Sequence, residues 1–193
     1  LLFQLGVFVG YAAFFGAAPL LRIYWVRELG AAGGWVGALT ACFLLGATLG
    51  NLFWGRRARP HNMRVFSLIT MCGSMASYAL LTASFRSLPP LAAVGIWAGF
   101  FDGGIGLMFL NRLFQLAPPR HRPTFVAIHT LTINLAAFLA PLASTALADI
   151  AGVRLALSLA GGLGLVGGLL VYTLGWRSEA TPPHASDVGE RKT

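Results

Sequence analysis

The chain of 193 residues is 56% hydrophobic and only 10% charged, and it contains 24 glycines. About a quarter of the residues of a soluble globular domain are charged, so this composition argues against a fold surrounded by water. The net charge of +8 would suit a nucleic-acid-binding protein, but the arginines collect in alternate loops and form no single basic stripe, so we expect no nucleic-acid partner.

Six runs that are almost free of charge follow one another along the chain, and each is long enough to form a transmembrane helix. A span needs roughly 20 mostly apolar residues to cross about 30 Å of hydrocarbon. Six such helices joined by short polar turns would leave a soluble protein without a polar surface. The sequence therefore predicts an all-α, multi-pass membrane protein embedded in the lipid bilayer. The runs are residues 3–21, 29–55, 65–85, 88–111, 124–148 and 155–176.

Basic residues are shared unequally between the two sides of the predicted bundle. Ten of the 14 Lys and Arg fall in the turns after the second and fourth runs and in the tail, and four fall on the opposite side. Cytoplasmic loops carry the excess of positive charge, so both termini should be cytoplasmic, in a membrane of the bacterial inner type. We expect residues 177–193 to form a disordered cytoplasmic tail. Because the chain begins at Leu1, we also expect an N-terminal portion to be missing.

The transmembrane part, residues 1–176, contains a weak internal repeat. A shift of 90 residues superposes a first triplet of helices, residues 1–86, on a second triplet, residues 88–176. Many transporters consist of inverted three-helix repeats, which predicts the same arrangement here. The aligned identities fall at equivalent positions of the two triplets. They are Ala47 with Ala137, Leu49 with Leu139, Leu52 with Leu142, Ala58 with Ala148, and Arg64 with Arg154.

The turn after the second run carries a recognisable motif. Residues 55–65 read G-R-R-A-R-P-H-N-M-R-V. This stretch resembles the G-R-L-A-D-R-x-G-R-R loop that joins the second and third helices of a major facilitator superfamily half. The residues that match are Gly55, Arg56, Ala58 and Arg64, while Arg59 replaces the acidic residue of that loop. The resemblance implies the C-terminal six-helix half of such a transporter, with its first, second, fourth and fifth helices around a central cavity.

Asp102 is the strongest candidate for a functional residue. It lies near the middle of the fourth run, where a charged side chain costs about 2.5 to 3.5 kcal/mol on insertion scales. Gly95, Gly99 and Gly106 share a narrow arc of the same helix, which would let a helix, water or a solute approach closely. We predict a site for a proton or for the charge of a substrate. The alternative is a carboxyl group that holds the bundle together through a hydrogen bond to a neighbouring helix.

Three weaker candidates complete the predicted site. Asn134 should lie roughly 15 Å from the cytoplasmic start of its helix, about as deep as Asp102 in the antiparallel neighbour. His129 should lie half as deep, where it could relay a proton. The alternative for both is a structural role, as an interhelical hydrogen bond or an interfacial imidazole. Tyr11 of the first run is a cavity candidate whose alternative role is to fill the core.

Several chemistries are missing from the sequence. Lys192 is the only lysine and no G-x-x-x-x-G-K-[ST] loop occurs, which excludes a Walker-type ATPase. There is no G-x-S-x-G nucleophile turn and no metal-ligand spacing of His, Cys and carboxylates, so we expect no enzyme, cofactor or metal.

The function that fits best is secondary active, proton-coupled transport of a small solute by alternating access. Its expected partners are the solute and a missing N-terminal half or a second copy. The alternatives are a membrane substrate-binding subunit of a multi-component transporter and a noncatalytic membrane scaffold.

Overall fold

The computed structural model describes residues 2–57, 59 and 62–175, with the exception of the Met75 side chain, and this part of the chain is helical without strands. Six of its helices are long and apolar enough to cross a membrane. The predicted all-α membrane protein is thereby confirmed, whereas the predicted tail, residues 177–193, lies outside the described residues. In chain order, helices 1 to 6 are Leu2–Glu28, Gly33–Arg57, Met63–Ser84, Pro89–Leu116, Pro119–Ala151 and Val153–Leu174.

Glycine and proline set the ends of these helices. Gly30 and Gly152 have φ angles of +64° and +86°, which glycine adopts without steric cost, and they make the turns before helices 2 and 6. Pro89 begins helix 4, at a position where its missing N–H would have no helical partner. Helix 4 ends where Ala117 adopts an extended conformation before Pro118. The connections are therefore short, and consecutive helices run antiparallel.

Helices 2 and 4 pack with their backbones in contact. A Cβ atom added at Gly50 would overlap the carbonyl group of Phe100, and one added at Gly99 would overlap that of Phe43. Small residues permit this approach, which favours van der Waals packing between helices in lipid. The glycines at this crossing are Gly46, Gly50, Gly99 and Gly103. Their interface fixes the helix segment that carries Asp102.

The remaining helices form a bundle around helix 1. Helix 1 packs between helices 5 and 6, and helix 3 packs against helices 4 and 6. Helices 2 and 5 are the least buried of the six. Large apolar side chains such as Leu131 and Phe138 of helix 5 are about two-thirds exposed, at 68% and 67%. In a membrane such side chains are covered by lipid or by another protein surface.

Two arginines connect the triplets in a reciprocal way. Arg64 at the start of helix 3 donates from Nε to the carbonyl of Tyr172 near the end of helix 6, at 3.1 Å. Arg154 at the start of helix 6 donates from Nε and Nη2 to the carbonyl of Ala83 near the end of helix 3, at 3.1 and 2.8 Å. Both neutralise helix C-terminal carbonyls, which lack intrahelical partners. These are the two arginines that the 90-residue shift aligns, and a pseudo-two-fold axis would produce this pattern.

Candidate functional site

A cavity of about 300 Å³ lies inside the bundle and contains Asp102. Helices 1, 2, 3, 4 and 6 all contribute to its walls. Asp102 is near the middle of helix 4, roughly 20 Å from either end at about 1.5 Å of rise per residue. The polar residues that line the cavity with it are Tyr11, Asn51 and Ser74. The structure therefore brings together Asp102 and Tyr11, two of the residues selected from the sequence.

The carboxylate of Asp102 is not held by the fold. Among the residues that the structure describes, none forms a hydrogen bond or an ion pair with it. Asn51, which shares the cavity, uses its amide Nδ2 to donate to the carbonyl of Ala47 in its own helix, at 3.0 Å. A carboxylate that only stabilised the bundle would need such a partner, because an unpaired charge in a low-dielectric interior is costly. This geometry favours a group that interacts with something entering the cavity.

The glycines near Asp102 have two different roles. Gly103 packs its backbone against Ala47 and Asn51 of helix 2, so it belongs to the tight helical contact. Gly106 also lines the cavity, but a Cβ added there would meet no atom within 4 Å. Gly106 is exposed, so this side of the cavity is open. Sequence spacing placed Gly106 near Asp102 without showing that it leaves an opening.

Helix 3 is interrupted beside the cavity. Its residues Cys72–Ala76 form a kink in which Ser74 has the non-helical angles φ −89° and ψ −108°. The hydroxyl of Ser77 donates to the carbonyl of Gly73 and, at 2.9 Å, to that of Ser74. The sequence signal was the Gly73-Ser74 pair, since Gly/Ser pairs are a common cause of helix kinks.

His129 lies outside this cavity. It is 7% exposed, and its Nδ1 is 3.3 Å from Oε1 of Gln4, which joins helix 5 to helix 1. The ring of Phe109 lies between this pair and the cavity, with its centroid 6.5 Å from His129 and 5.7 Å from Tyr11. The geometry resembles the structural alternative, an interhelical polar contact, and a proton relay through His129 stays a prediction. Sequence reasoning missed Gln4, the single polar residue near the start of helix 1.

Asn134 is not brought to Asp102 either. Its side chain is exposed on helix 5, and no described residue of that helix lines the Asp102 cavity. Helices 3 and 6 contribute walls instead, through Ser74 and Gly164 among others. The equal depth inferred from helix rise gave no information about the direction in which each side chain points.

The loop motif is only partly within the described residues. Gly55 and Arg56 are exposed at the end of helix 2, and Arg64 forms the contact to Tyr172 described above. Ala58 lies outside the described residues. A further arginine, Arg112, is 3% exposed and donates from Nε and Nη2 to the carbonyl of Gly175, at 3.2 and 2.9 Å. Arg112 therefore connects helix 4 to the end of helix 6.

Comparison with known proteins agrees with this architecture. The family model of the Major Facilitator Superfamily matches residues 4–193, which is nearly the whole chain. No curated protein matches it. The six membrane-crossing helices and this match together establish that the chain belongs to the Major Facilitator Superfamily, a family of integral membrane transporters.

Proposed function

We propose that this chain takes part in secondary active transport of a small solute by alternating access, with Asp102 as the group that exchanges a proton. The observation that carries the proposal is the Asp102 carboxylate inside a transmembrane cavity, without a partner among the described residues. Family membership supplies the general activity. The cavity supplies a place where solute and proton can meet.

The physical basis is the cost of charge inside a membrane. An ionised carboxylate in the hydrocarbon region is unfavourable unless it is paired or hydrated, whereas a neutral carboxyl group is tolerated much better. Binding a proton from one side and releasing it to the other therefore changes the relative stability of the conformations open to each side. A ligand that binds two conformations unequally shifts the balance between them. The proton on Asp102 is such a ligand.

The size and walls of the cavity limit the solute. A volume of about 300 Å³ is at the lower end of the roughly 300–1,000 Å³ typical of ligand pockets. Tyr11 offers a hydroxyl group, and Asn51 still has its amide oxygen because its Nδ2 is bonded within helix 2. The rest of the wall is mostly glycine and apolar side chains. We therefore propose a small solute that is contacted by few polar groups.

A second helical bundle should complete the path of the solute across the membrane. Polar side chains of Thr48, Asn51 and Asn134 are exposed on helices 2 and 5, where contact with lipid would be unfavourable. Gly106 of helix 4, which lines the Asp102 cavity, is exposed as well. We propose that another six-helix bundle, either covalent or a second copy, covers this face, and that both termini are cytoplasmic.

The experiment uses the complete protein, with both six-helix bundles, reconstituted in vesicles that contain a pH-sensitive dye. Candidate solutes are added outside without an imposed pH gradient, and acidification of the vesicle interior is followed. We expect wild type and Asp149→Asn to carry protons inward with at least one solute, and Asp102→Asn to carry none. Asp149 is a matched control because it is an exposed carboxylate at the end of helix 5. Solute-driven acidification by Asp102→Asn at the wild-type rate would contradict the proposal.

A further inference from the structure

A second cavity, of about 190 Å³, lies between helices 1, 2 and 3 towards the turn that follows helix 1. Phe14 lines both this cavity and the Asp102 cavity. The two spaces are therefore neighbours, with the Phe14 side chain at their boundary. We name the smaller one the Arg22 pocket, after the arginine in its wall.

Two buried polar groups of the Arg22 pocket have no partner. Trp25 and Tyr78 are each 3% exposed, and within the described residues neither Nε1 of Trp25 nor the hydroxyl of Tyr78 forms a hydrogen bond. Comparable groups elsewhere are satisfied: the Tyr24 hydroxyl donates to the Phe85 carbonyl at 2.7 Å. Leaving a buried donor unpaired costs about 1–3 kcal/mol, so such a group calls for a ligand or water.

The charge of the pocket selects the kind of ligand. Arg22 lines the pocket, and none of its described lining residues is acidic. An indole N–H and a guanidinium group can only donate hydrogen bonds, and the tyrosine hydroxyl can donate as well. Three donors, one of them positively charged, match a negatively charged group of acceptor oxygens, and a carboxylate is the smallest organic group of this kind.

The walls of the pocket indicate the shape and polarity of the rest of the ligand. Its aromatic side chains are Phe14, Trp25, Phe43 and Tyr78. Phe43 and Tyr78 stack at 5.6 Å with an angle of 11° between their planes. Flat apolar walls with a few polar groups are typical of sites for small organic molecules. The volume would hold about six waters at about 30 Å³ each, or one ring with its carboxylate.

We infer that the Arg22 pocket binds a small, flat organic anion of the size of benzoate, with its carboxylate between Arg22, Trp25 and Tyr78. The inference rests on the proposed function only in treating this anion as the cargo. It also suits the chemistry of Asp102, since an anion that moves together with a proton crosses the membrane as a neutral pair. Displacement of Phe14 would then admit the anion to the Asp102 cavity.

The test measures equilibrium binding of radiolabelled benzoate to the full purified chain in detergent. We expect saturable binding to wild type, weakened about tenfold or more by Arg22→Gln, because a charge-assisted hydrogen bond is lost. Tyr78→Phe removes a single oxygen atom and should weaken binding about threefold to tenfold. Arg27→Gln is the matched control, because Arg27 is, like Arg22, an exposed arginine of helix 1 but does not line the pocket; it should bind as wild type does.

Competition experiments define the ligand class. Unlabelled benzoate should displace the label, whereas neutral benzamide and inorganic phosphate should displace it at least about tenfold less effectively. Absence of saturable binding, equal binding by Arg22→Gln, or equal competition by benzamide or phosphate would overturn the inference. Asp102→Asn should still bind benzoate. Solute-driven proton movement without benzoate binding would therefore refute only the inference that the Arg22 pocket binds an organic anion. Benzoate binding without any transport would refute only the proposed function.

Discussion

Asp102 and His129 are both titratable side chains within membrane-crossing helices, yet the fold surrounds them in different ways. His129 is buried between helices 1 and 5 and has Gln4 as a polar partner at 3.3 Å. Asp102 opens into a cavity and has no hydrogen-bonding or ionic partner among the described residues. A polar group that the fold satisfies can act as a structural element. One that the fold leaves unsatisfied beside open space needs a ligand, so the comparison supports the role proposed for Asp102 and favours a structural role for His129.

The largest effect should come from removing the charge of Asp102. Asn is nearly isosteric with Asp and still forms hydrogen bonds, so Asp102→Asn should keep normal membrane insertion and abundance. Accumulation of solute against its gradient should fall to background, because no proton can be exchanged at this position. Exchange of labelled for unlabelled solute should continue, since it needs no net proton movement. Both are measured as radiolabelled uptake into vesicles, with and without an imposed pH gradient.

Asp149→Asn makes the same chemical change at an exposed position outside the cavity, so its accumulation should equal that of wild type. If Asp102→Asn retained full accumulation with an unchanged dependence on external pH, Asp102 would have only a structural role and the comparison with His129 would fail.

The next largest effect should come from closing the open side of the cavity. A Cβ at Gly106 meets no atom within 4 Å, so Gly106→Leu should fold normally while its side chain occupies the space beside Asp102. We expect the uptake rate to fall by about tenfold, equivalent to about 1.4 kcal/mol. Gly162→Leu is the control, because its Cβ also meets nothing within 4 Å and it lies outside the Asp102 cavity. Equal uptake by both variants would show that solute does not pass Gly106.

A smaller effect, on stability instead of transport, should follow changes at His129. His129→Gln can still bond to Gln4, so uptake and its pH dependence should stay within about twofold of wild type. His129→Leu leaves Gln4 without its partner, and we expect a loss of about 1–3 kcal/mol, measured as a lower unfolding temperature in detergent. Loss of proton coupling in His129→Gln, without a change in unfolding temperature, would instead support a relay through His129.

The sequence was sufficient to predict the six helices and to locate a carboxylate, Asp102, inside one of them, because both depend on charge along the chain. A long run without charged residues indicates a transmembrane helix, and a carboxylate inside such a run is easy to recognise. The Gln4–His129 contact could not be predicted, since it depends on helices 1 and 5 being neighbours. The sequence also could not show in which direction the Asn134 side chain points. A membrane helix is apolar on its lipid side as well as its packed side, so periodicity does not separate the two as it does in water.

The smallest effect within this bundle should come from Asn134, which sharpens the comparison because it is polar but neither buried nor in the cavity. Asn134→Ala removes an exposed side chain and should change the unfolding free energy of the isolated chain by less than about 0.5 kcal/mol. If a second bundle covers helix 5, the same change should weaken that association, because an interhelical hydrogen bond contributes about 0.6 kcal/mol on average in membrane proteins. Association can be measured by energy transfer between labelled copies in vesicles. Leu131→Ala, a substitution at a neighbouring exposed apolar position, separates loss of packing from loss of the hydrogen bond. An Asn134→Ala variant that unfolds much more easily as an isolated chain would show that Asn134 has a partner within the bundle, and would place it with His129 as a structural residue.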